Sequence, residues 1–293
     1  MAHGKICMAA DVSAVAMTPD LGAEVRGVDL SSPLSDACCI RIMEIFHRYC
    51  VIFFRNQNLE SQHLLRFASR FGELEIEPVG DRQLPGLPQI GVLSNARHNG
   101  SARAVGIVRD GMHWHSDRSY APTPAQATLA YGIKCPREGA DTEFVNMYAV
   151  FDALPPEKRL ALERLRAVHD PSFRYAELYP NRPPLSADQV EKLGVAEHPL
   201  VRVHPVTGRK ALFLAKDVVS HLCGMNENDS RKLIDDLEAF ATQPRFSYAH
   251  RWQEGDVLVW DNRCTLHRET PFDNRFDRAL HRVQVKGEVP IAA

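Results

Sequence analysis

Apolar residues in the first third of the chain recur with the spacing of helices and of short buried strands. Ile42 and Phe46 would share one face of a helix that begins near Ser35 and runs to about residue 50. The run Val51–Phe54 is short and wholly apolar, which predicts a buried strand. A second amphipathic helix is predicted over Ser61–Phe71. The first third is therefore predicted to mix helices and strands.

The second half is dominated by short apolar runs that are separated by turn residues. These runs predict strands at Gln126–Cys135, Thr142–Met147, Leu200–His204, Lys210–Leu214, Phe246–Trp252, Asp256–Trp260 and Ala279–Val285. Two amphipathic helices are predicted among them, over Pro155–Val168 and Asn226–Ala241. The pattern favours a β-rich α+β fold with a β-sandwich or jelly-roll core and flanking helices, and not a doubly wound parallel sheet.

One proline-rich segment, Phe173–Pro199, interrupts this pattern and has only a short candidate helix from Ser186. We interpret it as a lid or an insert on the surface of the domain. A length of 293 residues is ordinary for one β-rich domain, so residues 1–293 are predicted to form a single domain.

Composition and charge exclude several classes of protein. Hydrophobic residues make up 44% and charged residues 25% of the chain, which argues against disorder. The longest apolar runs are far shorter than the roughly 18–20 residues of a membrane span. A formal charge of −2 without a basic block argues against nucleic-acid binding. Seven scattered cysteines without a CxxC pair, and an amino-terminal segment unlike a signal peptide, favour a cytoplasmic protein.

Two residues with metal-binding side chains lie two positions apart in the segment Met112–Asp117. His115 and Asp117 would point to the same face of an extended strand, so both could reach one metal ion. A second, distant histidine would complete a 2-His-1-carboxylate site, the open-sided arrangement of non-haem Fe(II) oxygenases. The tripeptide alone is weak evidence, because about one His-x-Asp is expected by chance in this composition and a polar surface turn explains it equally well.

The carboxyl-terminal region supplies further candidates. Residues 255–267 run from a turn through an apolar strand to a polar end at His267. Arg278 and Arg282 follow, and an extended segment would put both guanidinium groups on one face. Two fixed cations beside a metal suit two anionic ligands, because arginine is always charged and binds carboxylates through two hydrogen bonds. Solvated arginines in a terminal strand are the alternative interpretation.

The chain resembles the TauD/TfdA family of Fe(II)- and 2-oxoglutarate-dependent dioxygenases in four separated motifs that occur in the family's order. They are Trp114–Asp117 followed by Tyr120, Gly139–Phe144 with Ala140 in place of a glycine, Trp260–His267, and Arg278 with Arg282. Segments 22–30 and 70–74 are also similar to the family, so the resemblance extends from about Leu21 to Gly287.

Carried over position by position, the resemblance implies a double-stranded β-helix core and a set of site residues. His115, Asp117 and His267 would hold Fe(2+), and Thr142 and Arg278 would bind 2-oxoglutarate, the cosubstrate that reacts with O2. Arg282 and Asn95 would contact the prime substrate, the molecule that is hydroxylated. His113 points to the same side as His115 but does not match the family ligand, and we interpret it as structural. Asp261 and Asn262 are interpreted as supports of the site, and strand-end turn residues are an equally good interpretation of them.

The resemblance implies a small anionic organic substrate and a homo-oligomer. The sulfonate-using branch of the family has a histidine shortly after its Phe-Gly-Glu-Leu segment, whereas this chain has Glu75, Glu77 and Gly80 in that region. An acid in place of a basic partner disfavours a taurine-like substrate. An aryloxyalkanoate-like carboxylate is therefore the first choice, and a sulfonate or alkyl sulfate ester is the second.

Two alternatives of another class remain at this point. A zinc hydrolase could use the same three ligands, since open three-ligand zinc sites exist, but it gives no role to Thr142 and Arg278. A binding protein without turnover could keep the fold, although no ligand of the metal site is missing from the sequence.

Overall fold

The computed structural model describes residues 8–77, 82–95, 111–180 and 182–293. The helices in this part of the chain are α1 Asp36–Tyr49, α2 Ser61–Ala68, α3 Met147–Asp152, α4 Pro156–Leu162, α5 Tyr175–Leu178, α6 Ala187–Leu193 and α7 Glu227–Ala241. Short 3-10 turns lie at Ala9–Asp11 and Pro244–Phe246.

The strands in the described residues are mostly short. They are β1 Ser13–Ala16, β2 Ala23–Arg26, β3 Val51–Phe54, β4 Gln83–Leu84, β5 Leu87–Ser94, β6 Ala127–Lys134, β7 Thr142–Asn146, β8 Arg166–His169, β9 Ala196–Pro199, β10 Val201–Val203, β11 Lys210–Leu212, β12 Val219–Leu222, β13 Ser247–His250, β14 Val257–Asp261, β15 Thr265–Glu269, β16 Ala279–Val285 and β17 Ile291–Ala292.

The predicted first helix has the ends that its sequence implies. The hydroxyl of Ser35 accepts a hydrogen bond from the backbone N–H of Cys38 and caps α1. Cys50 ends the helix in the left-handed conformation, with φ of 60°, and its N–H donates to the carbonyl of Phe46. This sharp stop lets the chain enter β3 at once, which places the predicted buried strand directly after the helix.

Eight strands form the large sheet, in the order β1-β2-β3-β14-β6-β16-β5-β4. Its neighbours are antiparallel, except that β2 and β3 are parallel. Three smaller sheets are β13-β7-β15, β12-β8-β9 and β11-β10-β17. The prediction of a β-rich chain with helices outside the sheets is confirmed at the level of a mixed α/β protein whose strands pair mainly in antiparallel fashion.

Alternation along the central strands divides the core in two. Leu258 and Trp260 of β14 face one hydrophobic cluster, which also contains Phe144 and Leu266 from β7 and β15. Val257 and its alternate neighbours face a second cluster, which contains the apolar faces of α1 and α2. The large sheet is therefore buried on both faces, with helices on one side and the small sheet β13-β7-β15 on the other.

Two of the predicted helices depart from the sequence prediction. The helix predicted over Pro155–Val168 is wrong in its second half, because α4 ends at Leu162 and Arg166–His169 forms the strand β8. Ala167 and His169 are buried and alternate with the less buried Arg166 and Val168. This alternation reflects pairing with β9 and β12, which are distant in sequence. The helix predicted over Ser61–Phe71 ends earlier, at Ala68.

The part of the chain that the structure describes contains no helix with the length and apolarity of a membrane span. The six cysteines within it are free.

Candidate active site

Backbone pairing brings the two histidines of the predicted metal site together. The N–H of His115 donates to the carbonyl of His267 at 3.0 Å, and the N–H of His267 donates to the carbonyl of His115 at 2.9 Å. Nε2 of His115 lies 4.0 Å from Oδ1 of Asp117, and Nε2 of His267 lies 3.8 Å from Oδ2. The three side chains thus converge, with one potential ligand atom from each within 4.8 Å of the others.

Hydrogen bonds to neighbouring groups orient two of these side chains. Nδ1 of His115 is 2.7 Å from the carbonyl oxygen of His113, which can only accept, so Nδ1 carries the proton and Nε2 presents a lone pair. The hydroxyl of Thr128 donates to Oδ2 of Asp117 at 2.6 Å, and the side-chain amide of Asn262 donates to Thr128 at 2.9 Å. The supporting role predicted for Asn262 agrees with this contact, whereas Thr128 was not identified from the sequence.

The protonation states suit a divalent cation. Burial lowers the pKa of His267 to about 3, so that its imidazole is neutral. Burial of Asp117 disfavours its charged form, but nearby His267 and Arg282 outweigh burial and lower its pKa to about 2. Two imidazole nitrogens and one carboxylate oxygen, with a cavity beside them, are the donor set typical of non-haem Fe(II) oxygenases. The residues at this site therefore fit Fe(II).

A second His-His-Asp group in the described residues, His47, His204 and Asp261, does not fit a metal. Arg263 grips Asp261 through Nε–Oδ1 and Nη2–Oδ2 contacts of 2.9 and 2.8 Å. Nδ1 of His204 accepts backbone N–H groups, and its Nε2 donates to Asp261 at 3.0 Å. The lone pairs of Asp261 and His204 are therefore already used. These contacts do not join Asp261 to the predicted iron ligands, so its role as a support of that site stays a prediction.

A cavity of about 950 Å³ opens beside His115, Asp117 and His267. Thr142 and Arg278 both line it. The indole N–H of Trp252 donates to the hydroxyl oxygen of Thr142 at 2.9 Å, which leaves the hydroxyl proton available to an acceptor in the cavity. Arg278 donates to Glu269 at 2.7 Å, and Glu269 lies opposite Thr142 in the pairing of β15 with β7.

Asn95 holds the backbone around Arg278. Its Oδ1 accepts from the N–H of Arg278 at 2.7 Å, and its Nδ2 donates to the carbonyl of Phe276 at 2.9 Å. Its two polar side-chain atoms are thus engaged by backbone, although the residue lines the cavity. The predicted contact of Asn95 with substrate stays a prediction, and the contacts present are those of a residue that positions Arg278.

Arg282 lies between two carboxylates on the wall of the same cavity. Its guanidinium donates to Oε2 of Glu77 at 2.7 Å and lies 4.0 Å from Oδ1 of Asp117. The sequence predicted that Arg278 and Arg282 serve one site, and both side chains line one cavity. Arg278 pairs with Glu269 and Arg282 pairs with Glu77. These pairs depend on how the strands are arranged in the fold, so no local sequence pattern predicts them.

The predicted lid, Phe173–Pro199, contributes residues of α5 and α6 to the cavity wall. Arg174 donates to Asp217 at 2.7 Å, and Nδ1 of His113 lies 3.2 Å from the other oxygen of Asp217. These contacts tie the segment, through Asp217, to the loop that carries His113 and His115. Asn181 lies outside the described residues, as does Gly80.

Comparison with known proteins identifies the family. The sequence model described as "Taurine catabolism dioxygenase TauD, TfdA family" matches residues 13–284. The chain belongs to this family. It is 32% identical to the (S)-phenoxypropionate/alpha-ketoglutarate-dioxygenase of Sphingobium herbicidovorans over 281 residues, 91% of this chain and 92% of that protein. It is also 32% identical to the alpha-ketoglutarate-dependent sulfate ester dioxygenase of Pseudomonas putida over 277 residues, which cover 92% and 88% of the two chains.

The solved structure of AAD-2 in complex with Mn(II) and N-oxalylglycine has the same fold, with a TM-score of 0.80 and 27% identity over 95% of this chain and 98% of that one. N-oxalylglycine is 2-oxoglutarate with an NH group in place of a CH2 group. The TauD/TfdA enzyme described here is a 2-oxoglutarate-dependent dioxygenase that uses Fe(II), 2-oxoglutarate and O2.

We expect Thr142→Val to weaken the binding of 2-oxoglutarate about 10- to 100-fold, because one hydrogen bond to a charged group contributes roughly 1.5–3 kcal/mol. Anaerobic titration of the Fe(II)-loaded protein with 2-oxoglutarate, followed by its weak visible band, measures this. Trp252→Phe is the matched control, since it removes the donor to Thr142 and leaves the hydroxyl in place. An affinity loss in Trp252→Phe as large as in Thr142→Val would contradict a direct contact.

Proposed function

We propose that His115, Asp117 and His267 bind Fe(II) in this enzyme and that the cavity beside them holds 2-oxoglutarate and the prime substrate. The single observation that carries the proposal is the convergence of two imidazoles and a buried carboxylate within 4.8 Å at the wall of a cavity. When bound, Fe(II) with 2-oxoglutarate and O2 supplies the chemistry that hydroxylates the substrate and converts 2-oxoglutarate into succinate and CO2.

The residues of the chain bind and orient the two organic molecules. Arg278 and the hydroxyl of Thr142 would hold the distal carboxylate of 2-oxoglutarate. A cation and a hydroxyl donor both line the cavity, and Glu269, the ion-pair partner of Arg278, lies opposite Thr142 in the sheet. Arg282, which lies 4.0 Å from Asp117, would hold the acidic group of the prime substrate. Trp260 and Leu280 provide apolar wall between the polar groups.

We propose an aryloxyalkanoate-like carboxylate as the prime substrate, with a sulfonate or alkyl sulfate ester as the second candidate. The relatives named above act on a phenoxypropionate and on sulfate esters, so a small organic anion is the class that they share. The volume of the cavity is sufficient for an aromatic acid beside 2-oxoglutarate. A screen of carboxylates, sulfonates and sulfate esters for stimulated succinate release tests the choice, and stimulation by sulfonates alone would reverse the order.

Membership in the family favours the dioxygenase over a zinc hydrolase or a binding protein without turnover. Anaerobic addition of Fe(II) and 2-oxoglutarate separates these classes, because only the dioxygenase should develop a visible band that depends on both components. An enzyme that reached full activity with Zn(II) and without 2-oxoglutarate would contradict the proposal.

A further proposal concerns the architecture of the catalytic domain. We propose that the large sheet and the sheet β13-β7-β15 form a double-stranded β-helix (jelly-roll) core within one catalytic domain, with Phe173–Pro199 as its lid. A cytoplasmic location and a homo-oligomeric state remain predictions from the sequence. Sedimentation of the purified chain tests the second, and a monomer at micromolar concentration would contradict it.

We expect replacement of the Arg282–Glu77 pair by methionines, Arg282→Met with Glu77→Met, to spare 2-oxoglutarate binding and to abolish the response to acidic substrates. Removing both charges avoids the penalty of a buried carboxylate without its partner. Succinate should then form in excess over hydroxylated product, because the target C–H bond is no longer held in place. The ratio of the two products measures this coupling, and Arg282→Lys should restore only part of it. Unchanged substrate affinity and coupling would move the anion anchor elsewhere in the cavity.

A further inference from the structure

The pairing of Arg282 with Glu77 places one positive and one negative charge in the proposed substrate subsite. Oε2 of Glu77 is 2.7 Å from the guanidinium, and only 4% of the Glu77 side chain is exposed. The Arg282 side chain is 19% exposed and borders the cavity together with Glu77. The subsite therefore presents a cation and an anion side by side, within one hydrogen bond of each other.

The backbone of the large sheet makes room for this pair. Gly91 of β5 lies directly opposite Arg282 of β16 in the antiparallel register. A methyl group on Gly91 would lie 2.6 Å from Oε2 of Glu77, so the carboxylate occupies the space that a side chain would fill. The N–H of Glu77 also donates to the carbonyl of Pro88 at 3.0 Å. The position of Glu77 is thus fixed by its contacts with β5 and with Arg282 of β16.

A substrate with an acidic group alone would meet two effects of opposite sign. Its anion would gain a hydrogen-bonded contact with Arg282 but would face the carboxylate of Glu77 at close range. Asp117, the other carboxylate near Arg282, differs because it would be neutralised by the metal ion. Of these two carboxylates, Glu77 is therefore the one whose negative charge a group of the substrate must offset.

We infer that the Arg282–Glu77 pair selects an acid with an amino or hydroxyl group on the adjacent carbon, and that Glu77 is the residue that determines this specificity. The acidic group of the substrate contacts Arg282, and its amino or hydroxyl group contacts Glu77. Because Arg282 and Glu77 are only 2.7 Å apart, these two groups of the substrate must also lie close together. This inference rests on the proposed function and changes its order of candidates. An aryloxyalkanoate carries an ether oxygen, an acceptor only, on the adjacent carbon, so acids with a neighbouring donor take its place as the preferred class.

The test compares acids that differ only at this carbon. The full-length protein, loaded anaerobically with Fe(II) and 2-oxoglutarate, is titrated by calorimetry with 3-phenylpropanoate and with both enantiomers of phenylalanine and of 3-phenyllactate. We expect at least one donor-bearing acid to bind about tenfold or more tightly than 3-phenylpropanoate, since a hydrogen bond to a charged group contributes that much. Glu77→Gln should reduce this preference about tenfold, mainly through tighter binding of the plain acid.

Glu73→Gln is the matched control, because Glu73 belongs to the same segment but pairs with Lys286 at the surface, with 74% of its side chain exposed. It should leave the preference unchanged. Gly91→Ala offers an independent route, since its methyl group would displace the Glu77 carboxylate, and it should lower the preference in the same direction.

The outcomes separate the inference from the function on which it rests. Failure of the wild-type protein to bind 2-oxoglutarate would overturn the proposed function. Normal binding of 2-oxoglutarate without a preference for a donor-bearing acid would overturn the inference alone. A preference that survives both Glu77→Gln and Gly91→Ala would also overturn it.

Discussion

Asp117→Ala should reduce succinate formation at least about 100-fold and should weaken Fe(II) binding. Loss of one of three proposed protein ligands must exceed the loss of an outer hydrogen-bond partner, which typically costs 10–100-fold in metal affinity or activity. His115→Ala and His267→Ala should behave in the same way. Fe(II) titration and a succinate assay of the purified variants, with circular dichroism to verify folding, measure the effect.

His113→Ala is the matched control for His115→Ala, because the two histidines lie two positions apart at the same cavity. The substitution removes a ring that contacts Asp217 but keeps the backbone carbonyl that orients His115. Iron affinity should therefore stay close to that of the wild type. Near-normal turnover in Asp117→Ala, or iron loss in His113→Ala equal to that in His115→Ala, would show that the ligands are assigned wrongly.

The sequence predicted those features that depend on neighbours along the chain. The capped start of α1 at Ser35 and the apolar run Val51–Phe54 are local patterns, and both have the predicted structure. The His115-x-Asp117 spacing is also local, whereas the choice of His267 as its partner came from the resemblance to a family. The structure places these three side chains together, in agreement with that choice.

Features that depend on pairing across the fold were missed. Arg166–His169 continues an amphipathic pattern, but it pairs with β9 and β12 and forms a strand. No local sequence pattern distinguishes Thr128 from the other threonines. Its hydroxyl contacts Asp117 because of the position of β6 in the sheet. Glu77 was noted as an acid where a basic residue was expected, yet its contact with Arg282 depends on the bare backbone of Gly91 across the sheet.

The proposed cosubstrate site has the second large expected effect, in Arg278→Ala. We expect the apparent affinity for 2-oxoglutarate to fall about 30-fold to several thousandfold, since truncating a buried hydrogen-bonded charge costs roughly 2–5 kcal/mol. Only 8% of the Arg278 side chain is exposed, so water replaces it poorly. Loss of the cation also leaves the carboxylate of Glu269 beside the incoming carboxylate. The defect should therefore exceed that of Thr142→Val.

Three variants make this prediction specific. Arg275→Ala is the matched control, because its guanidinium is 85% exposed and pairs with Asp273, and it should leave the affinity unchanged. Arg278→Lys should recover part of the affinity, since a point charge cannot form the two-donor contact. Adding Glu269→Ala to Arg278→Ala should also recover part of it by removing the repulsive carboxylate. Titration of 2-oxoglutarate against each variant measures all of these effects. A larger defect in Thr142→Val than in Arg278→Ala would mean that the hydroxyl, and not the cation, is the main anchor of the cosubstrate.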